Sequence, residues 1–437
     1  MLKPRQAFSP APGRRAVVVG GVRTPFAKAF TDLMELDTIA LGVAAVSGLL
    51  KQTQLPAREL DSVVWGGVIF PPLSVNLARE IALDLKLPPE VQGMTVTRAC
   101  ASGLQAITTA AASIERGEAD VVIAGGSDST SNAPLAFPPG VVRTLGPLAL
   151  GGKGTVGDYL GVMAHFMALP EILPRPPKIA ERTTGEVMGA SAERMAQRNE
   201  ISRQAQDELA ARSHHRASRA VASGRFESEL TKVETPKGWV HTDNLVRADT
   251  NVEKLAKLRP VFAKNGTVTA GNASPLTDGA SATLLMSEEK AKALGIAPLA
   301  AIRAWSYVGV DPSDQLLIGP ALCMPQVLDM VGMRLADVDL VDMHEAFAAQ
   351  VLSVLRALAS PAFARERLGR DSAVGEVDPD RLNVHGGSIA IGHPFGATGS
   401  RMVNTMANEL VRTGKATALL GICAAGGLGA AALLERV

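Results

Sequence analysis

Short runs of aliphatic and β-branched residues alternate with Ala- and Leu-rich stretches along most of the chain. Residues 15–20, 62–67 and 120–124 are largely apolar runs, as strands buried on both faces are, and the β-branched run 95–97 reads as the end of a strand. Residues 41–50, 76–85 and 104–114 between them read as helices. Strands alternating with helices predict a mostly parallel sheet covered on both sides. The pattern breaks near residue 130. Residues 131–180 are rich in Pro and Gly and carry an apolar patch at 159–173, and residues 189–223 are Ala-rich, charged and helical, with Ser223-Gly224 as a stop signal. The sheet pattern returns in strands at 266–270 and 280–287.

The second half repeats the order of the first. Strands are expected at 300–310 and 340–343 and helices at 325–331, 346–358 and 400–412, with a glycine-rich turn at 385–399 before the last helix. The uncharged run 416–434 is nearly long enough to span a bilayer, but Gly421, Gly426, Gly427 and Gly429 interrupt it. It reads better as a hairpin of strands 417–422 and 428–434. Two α/β halves of like element order, with one large insertion, predict an internally duplicated fold.

Composition narrows the class. A chain of 437 residues is too long for one small core. A net charge of +1 gives no reason to expect nucleic acid. Three cysteines are no disulfide framework, which favours a reducing compartment, the bacterial cytoplasm ahead of the mitochondrial matrix. The first 31 residues carry six basic residues and no acid. They read as a loose leader, residues 1–14 forming a flexible arm, with a short transit peptide as the alternative.

Four turns at strand ends could carry chemistry, because open α/β sheets place ligands there. In the first, small residues around Cys100 allow a tight strand-to-helix turn. A helix N-terminus favours an anion, so the expectation is a thiol with lowered pKa. The alternative is a small buried residue. The others are His344-Glu345-Ala346-Phe347, the glycine-flanked His393 in 392–399, and Cys423-Ala424-Ala425-Gly426-Gly427. Two cysteines and a histidine on separate turns could supply a nucleophile, its base and a second acid/base. His214-His215 reads as a solvated helix face and Cys323 as packing. The segment 151–154 is not a P-loop, because no Ser or Thr follows Lys153.

Taken together these motifs resemble the thiolase family over about residues 15–437. The resemblance rests on Cys-Ala-Ser-Gly-Leu-Gln-Ala at 100–106, Gly-Asn-Ala-Ser at 271–274 with Asp278-Gly279-Ala280, His-Glu-Ala-Phe at 344–347, Gly-His-Pro at 392–394 and the Cys423 turn. The His-Glu-Ala-Phe and Cys-Ala-Ala-Gly-Gly forms look most like the β subunit of the fatty-acid oxidation trifunctional complex. The resemblance implies a layered α-β-α-β-α core of duplicated halves. Residues 15–130 with 266–297 would form the first half, 298–437 the second, and 131–265 an inserted loop domain that binds CoA. It implies cleavage of 3-ketoacyl-CoA by CoA through an acyl-cysteine. Cys100 would attack, His393 serve as base and oxyanion donor, and Cys423 exchange the proton of the acetyl-CoA enolate. His344 stands where the family has an Asn that holds a water, and Glu345 would orient His393 or that water. The backbone of Ala425 would complete a second oxyanion hole, provided that its turn does not require positive φ. Ser274 would touch the pantetheine arm, and Met188 and Phe347 would line the acyl pocket. No metal or cofactor is implied, since CoA is a substrate. Partners implied are acyl-CoA, CoA, a second copy or more in a homodimer or homotetramer, a hydratase/dehydrogenase α subunit, and a membrane surface against 159–173, with a buried loop-domain helix as the alternative for that patch. Acetoacetyl-CoA synthesis is the alternative within the family, and a non-catalytic lipid-binding relative the remote one. A second cysteine at 423 argues against a decarboxylating ketoacyl synthase.

Overall fold

The computed structural model describes residues 6, 8–151, 154–168, 171–175, 177 and 179–437. Residues 1–5 and 7 of the expected arm and residues 152–153 therefore lie outside the described residues. In chain order the strands are β1 (Ala16–Arg23), β2 (Ala27–Lys28), β3 (Ser62–Gly66), β4 (Gln92–Val96), β5 (Val121–Asp128), β6 (Val233–Thr235), β7 (Gly238–Val240), β8 (Thr277–Ser287), β9 (Ala300–Gly309), β10 (Leu340–Met343), β11 (Thr417–Ala424) and β12 (Leu428–Arg436). The main sheet runs β10-β11-β12-β9-β1-β8-β5-β3-β4, with β2 on β8, while β6 and β7 form a separate ribbon.

The duplication is explicit in this order. Read inward from the edge, β10-β11-β12-β9 has a parallel pair followed by two antiparallel pairs. The series β3-β5-β8-β1 has the same sequence of pairings. Within the sheet, among the described residues, the halves pair at two facing positions, Val17 with Ala301 and Val18 with Ala300. The sheet is thus mixed, and the expectation of a mostly parallel sheet is corrected. Fully buried strands look alike in sequence whichever way they run, because neither face alternates.

Strand alternation sorts side chains into layers. Along β11, Ala418, Leu420, Ile422 and Ala424 join a central core, whereas Leu419 and Cys423 face an outer one. Along β1, Ala16 and Val18 face that central core and Val17 and Val19 the opposite side. The central core is filled by two helices, Ser102–Glu115 through Leu104, Ile107 and Ala111, and Thr398–Thr413 through Met402, Met406 and Leu410. The outer layers are Thr38–Thr53 with Leu77–Asp84 on one side and Pro320–Val331 with Ala348–Leu358 on the other. The result is the α-β-α-β-α stack.

Some local expectations are overturned. Residues 266–270 form no strand; Thr269 makes only an isolated bridge to Pro260. The N–H groups of Thr267 and Val268 donate to buried Glu193, and that of Thr269 to Asn272, so they are not free for a ladder. The helix expected over 189–223 is two, Met188–Arg198 and Arg203–Ala222, the second capped by Ser202. His214 is buried rather than on a solvated face: its Nδ1 accepts the N–H of Arg247 at 3.2 Å. Cys323 packs in the core as expected.

Residues Ala133–Ile179 form a compact unit of their own. Ala136 and Arg175 exchange backbone hydrogen bonds across it, each 2.9 Å. Its helices Pro139–Leu150 and Val156–Met167 pack on one another, the second begun by a Thr155–Asp158 capping box. Within this unit Tyr159, Leu160, Met163, Met167 and Leu173 are exposed; residues 169 and 170 lie outside the described residues. Among the described residues no helix is long and apolar enough to cross a membrane.

Candidate active site

The turn after β4 is tight for identifiable reasons. Ala99 adopts φ of 44°, a conformation uncommon without glycine. Ser102 holds it, accepting the N–H of Arg98 at 2.8 Å and donating to the carbonyl of Ala99 at 2.7 Å. The helix Ser102–Glu115 starts at once, with Cys100 just outside it. Strain of this kind is over-represented at functional sites because packing must hold it in place.

The other reactive groups come from the second half. His344 follows β10, and its N–H donates to Gly421 of β11 at 2.8 Å. His393 sits in the turn before Thr398–Thr413, its N–H donating to Thr277 at 3.0 Å. Cys423 lies near the end of β11 and is buried. The first turns of the two central helices touch through Gly103 and Gly399, where a Cβ on Gly399 would fall 2.3 Å from the N of Leu104. That contact draws the Cys100 turn against the His393 turn. The thiol sulfur of Cys100 and one ring nitrogen each of His344 and His393 lie within 4.8 Å of one another. The two imidazoles are 4.1 Å apart, centre to centre.

Each imidazole is anchored by one nitrogen and bare at the other. His393 Nδ1 bonds Thr398 Oγ1 at 2.6 Å, and His344 Nδ1 bonds Ser388 Oγ at 2.8 Å. Both Nε2 atoms are buried and have no hydrogen-bond partner among the described residues. The Thr398 hydroxyl donates to the Pro394 carbonyl at 3.0 Å, so it accepts from His393 Nδ1–H. His393 Nε2 is therefore a lone pair, the form a general base needs.

Burial dominates the proton energetics. It pushes the Cys100 thiol up to about 11, only partly offset by the backbone N–H groups of Ala425 and Cys100 itself. The expected lowering by the helix N-terminus is thus outweighed by desolvation. Burial, with the Arg401 cation second, lowers His393 to about 3. Burial also lowers His344, with His393 and Arg401 adding to it, and raises Cys423, with Cys100 adding to it. The site thus sets a neutral thiol against neutral imidazoles. Because neither partner titrates near neutrality, the rate of Cys100 acylation in single turnovers without CoA is expected to stay flat with pH across the folded range. A limb of unit slope near neutral pH in stopped-flow acylation would show instead that a preformed thiolate reacts.

Ala425 keeps negative φ, so its turn does not need glycine, and its N–H donates to the Cys100 sulfur. Glu345 makes no bond to His393. It accepts from Ser213, Asn383 and the N–H of Ile389, which braces the 387–391 turn beneath Ser388. Ser274 donates its N–H to Ala346 at 2.9 Å, and Ala273 bridges Phe347. Phe347 meets Phe262 edge-on at 6.1 Å, and both pack with Met188 against one core cluster. Ser274 thus lies against the His344–Phe347 segment, while Met188 shares only its core cluster. Thr398, Ser388 and Arg401 were not anticipated. Thr398 had a signal, since a hydroxyl five residues after His393 can face back across the first helical turn. The Cys–His–His triple also has donor types that zinc accepts.

A thiol facing neutral imidazoles with backbone N–H groups beside it is an arrangement suited to acyl transfer through a cysteine. The Thiolase, N-terminal domain, family matches residues 16–289 and the Thiolase, C-terminal domain, family residues 296–436. The chain belongs to the thiolase family. The 3-ketoacyl-CoA thiolase of Alteromonas mediterranea is 44% identical over 434 residues, covering 99% of each chain. That of Aeromonas salmonicida is 44% identical over 426 residues, covering 97% of each. The structure of human mitochondrial 3-ketoacyl-CoA thiolase in complex with CoA superimposes with a TM-score of 0.83 at 31% identity, covering 100% of each chain. Bacillus anthracis acetyl-CoA acetyltransferase also gives 0.83, at 34% identity, covering 97% of this chain and 99% of that one.

Proposed function

We propose that the chain is a 3-ketoacyl-CoA thiolase, cleaving its substrate with CoA to acetyl-CoA and a shortened acyl-CoA. The observation that carries this is the convergence of the Cys100 sulfur and one ring nitrogen from each of His344 and His393 within 4.8 Å. Cys100 sulfur bonds to the keto carbon as its proton passes to His393 Nε2, and the carbonyl electron pair moves to oxygen. The resulting oxyanion lies beside a new imidazolium, which offsets the cost of forming a charge in a buried site. Collapse of the oxyanion breaks the bond to the α-carbon, whose electron pair becomes the acetyl-CoA enolate. Cys423 gives that carbon its proton. Incoming CoA returns a proton to Cys423 and attacks the acyl thioester, and Cys100 leaves with the proton held by His393. The N–H groups of Ala425 and Cys100 receive the thioester oxyanion, while His344 and His393 face the enolate oxygen. Glu345 supports the turn beneath His344 and takes no proton.

The loop region 131–265 binds CoA in this reading, with Ser274 against the pantetheine arm and Met188 and Phe347 along the acyl chain. CoA is a substrate, and no resident cofactor or metal is needed. The free thiols suit a reducing cytoplasm. The exposed apolar residues of 159–173 suit a membrane surface or a hydratase/dehydrogenase α subunit, and the working form is a homodimer or homotetramer.

Steady-state thiolysis of 3-ketoacyl-CoA from acetoacetyl to hexadecanoyl length tests the role. A kcat/KM that rises with chain length is expected for fatty-acid degradation. Activity confined to acetoacetyl-CoA would favour the condensing, biosynthetic enzyme.

A further inference from the structure

A buried polar chain lies behind His344 and takes no part in the steps above. Asp342 and Arg401 are both about 2% exposed, with Arg401 Nη1 donating to Asp342 Oδ2 at 3.3 Å. Arg401 Nη2 donates to Ser388 Oγ at 3.4 Å, and Ser388 Oγ lies 2.8 Å from His344 Nδ1. Ser388 and His344 are fully buried.

We infer that Ser388, held by the Arg401–Asp342 pair, is a positioning residue that locks His344 as its Nε2–H tautomer, the opposite of His393. A guanidinium has only donors, so Ser388 must accept from Arg401. Its one hydroxyl hydrogen then needs an acceptor. Among the described residues, the acceptor that bonds Ser388 Oγ is His344 Nδ1. If His344 carried its proton on Nδ1, a buried hydroxyl hydrogen would be stranded, which is costly. The Thr398 hydroxyl differs because it has the Pro394 carbonyl to donate to. Two hydroxyls in different surroundings thus impose opposite tautomers. His393 presents a lone pair to the thiol, and His344 presents an N–H to the same space. The buried cation also opposes a second proton on His344, so its N–H donates a hydrogen bond without being given up. His344 then acts as a direct oxyanion donor, with no water between.

The inference rests on the thiolase reading of the site, and the test separates the two. Protein labelled with 15N-histidine reports ring protonation without any substrate, and His344→Asn assigns the signal among the seven histidines. The expected result is a protonated Nε2 and a bare Nδ1 on His344, with this preference lost in Ser388→Ala. In thiolysis, Ser388→Ala should lower kcat about tenfold with KM little changed, short of the ~10²-fold lost when an oxyanion donor is removed outright. On His344→Asn, whose amide donates without a tautomer, Ser388→Ala should add less than about twofold, the mark of residues acting as one unit. A His344 protonated at Nδ1 overturns the inference. So does an equal loss in both backgrounds, which would make Ser388 merely structural, or an altered tautomer with unchanged kcat. Correct tautomers with no thiolysis of any 3-ketoacyl-CoA would instead sink the assigned reaction.

Discussion

Replacing Cys100 by Ala is expected to remove thiolysis almost completely, by on the order of 10⁴-fold or more, with little change in stability. The side chain lies on a turn held by the Ser102 hydroxyl and by Ala99, not by the sulfur, so its loss leaves the backbone in place. Cys100→Ser should be almost as inactive. Burial lowers His393 well below an ordinary imidazole, and a weakened base takes the proton of an alcohol less readily than that of a thiol. The thiol succeeds because sulfur is more nucleophilic and its proton is easier to move as the oxyanion forms. Both variants should still bind acyl-CoA, so isothermal titration should give near wild-type affinity while acyl-enzyme mass is absent. Residual turnover above about one hundredth of wild type in Cys100→Ala would show that another group opens the substrate.

Much of this architecture could be read from the chain because it is written locally. The β11–β12 hairpin announces itself by two apolar runs around Cys423 and its glycines, and the Cys100 turn by small residues between a strand and a helix. What escaped depends on partners distant in sequence. The antiparallel placement of β8 between β1 and β5 is set over more than a hundred residues, and complete burial erases the alternation that would reveal it. Residues 266–270 have strand-like composition, yet Glu193 and Asn272 take their N–H groups. The site shows the same division. Cys100, His344, His393 and Cys423 stand out by residue type, but their protonation is decided by Ser388, Thr398 and Arg401, which look ordinary in a sequence. Local rules also misjudged the sign of the Cys100 shift, since a helix terminus is visible in sequence and the depth of burial is not.

Gly103→Ala is expected to destabilise the protein and disable the site together, although alanine is ordinarily the better helix former. Gly103 occupies the first turn of Ser102–Glu115, where the exchange would normally gain about 0.5–1 kcal/mol. Here the new Cβ would fall 2.4 Å from the Gly396 carbonyl and 2.9 Å from the Ser400 N–H. Both are backbone, so no side chain can swing aside and the two central helices must part. Overpacking of this kind costs about 1–3 kcal/mol or more, which exceeds the propensity gain. The separation also falls between Cys100 and His393, because this contact is what seats one turn on the other. A displacement of about 1 Å between reacting groups can cost ~10²-fold in rate. The prediction is therefore a lower melting temperature accompanied by a fall in kcat that persists at temperatures where the variant is fully folded. Gly161→Ala supplies the contrast, since no atom lies within 4 Å of its would-be Cβ on the helix Val156–Met167. That variant should melt no lower than wild type. A Gly103→Ala protein as stable and as active as wild type would mean that the helix contact does not set the distance between nucleophile and base.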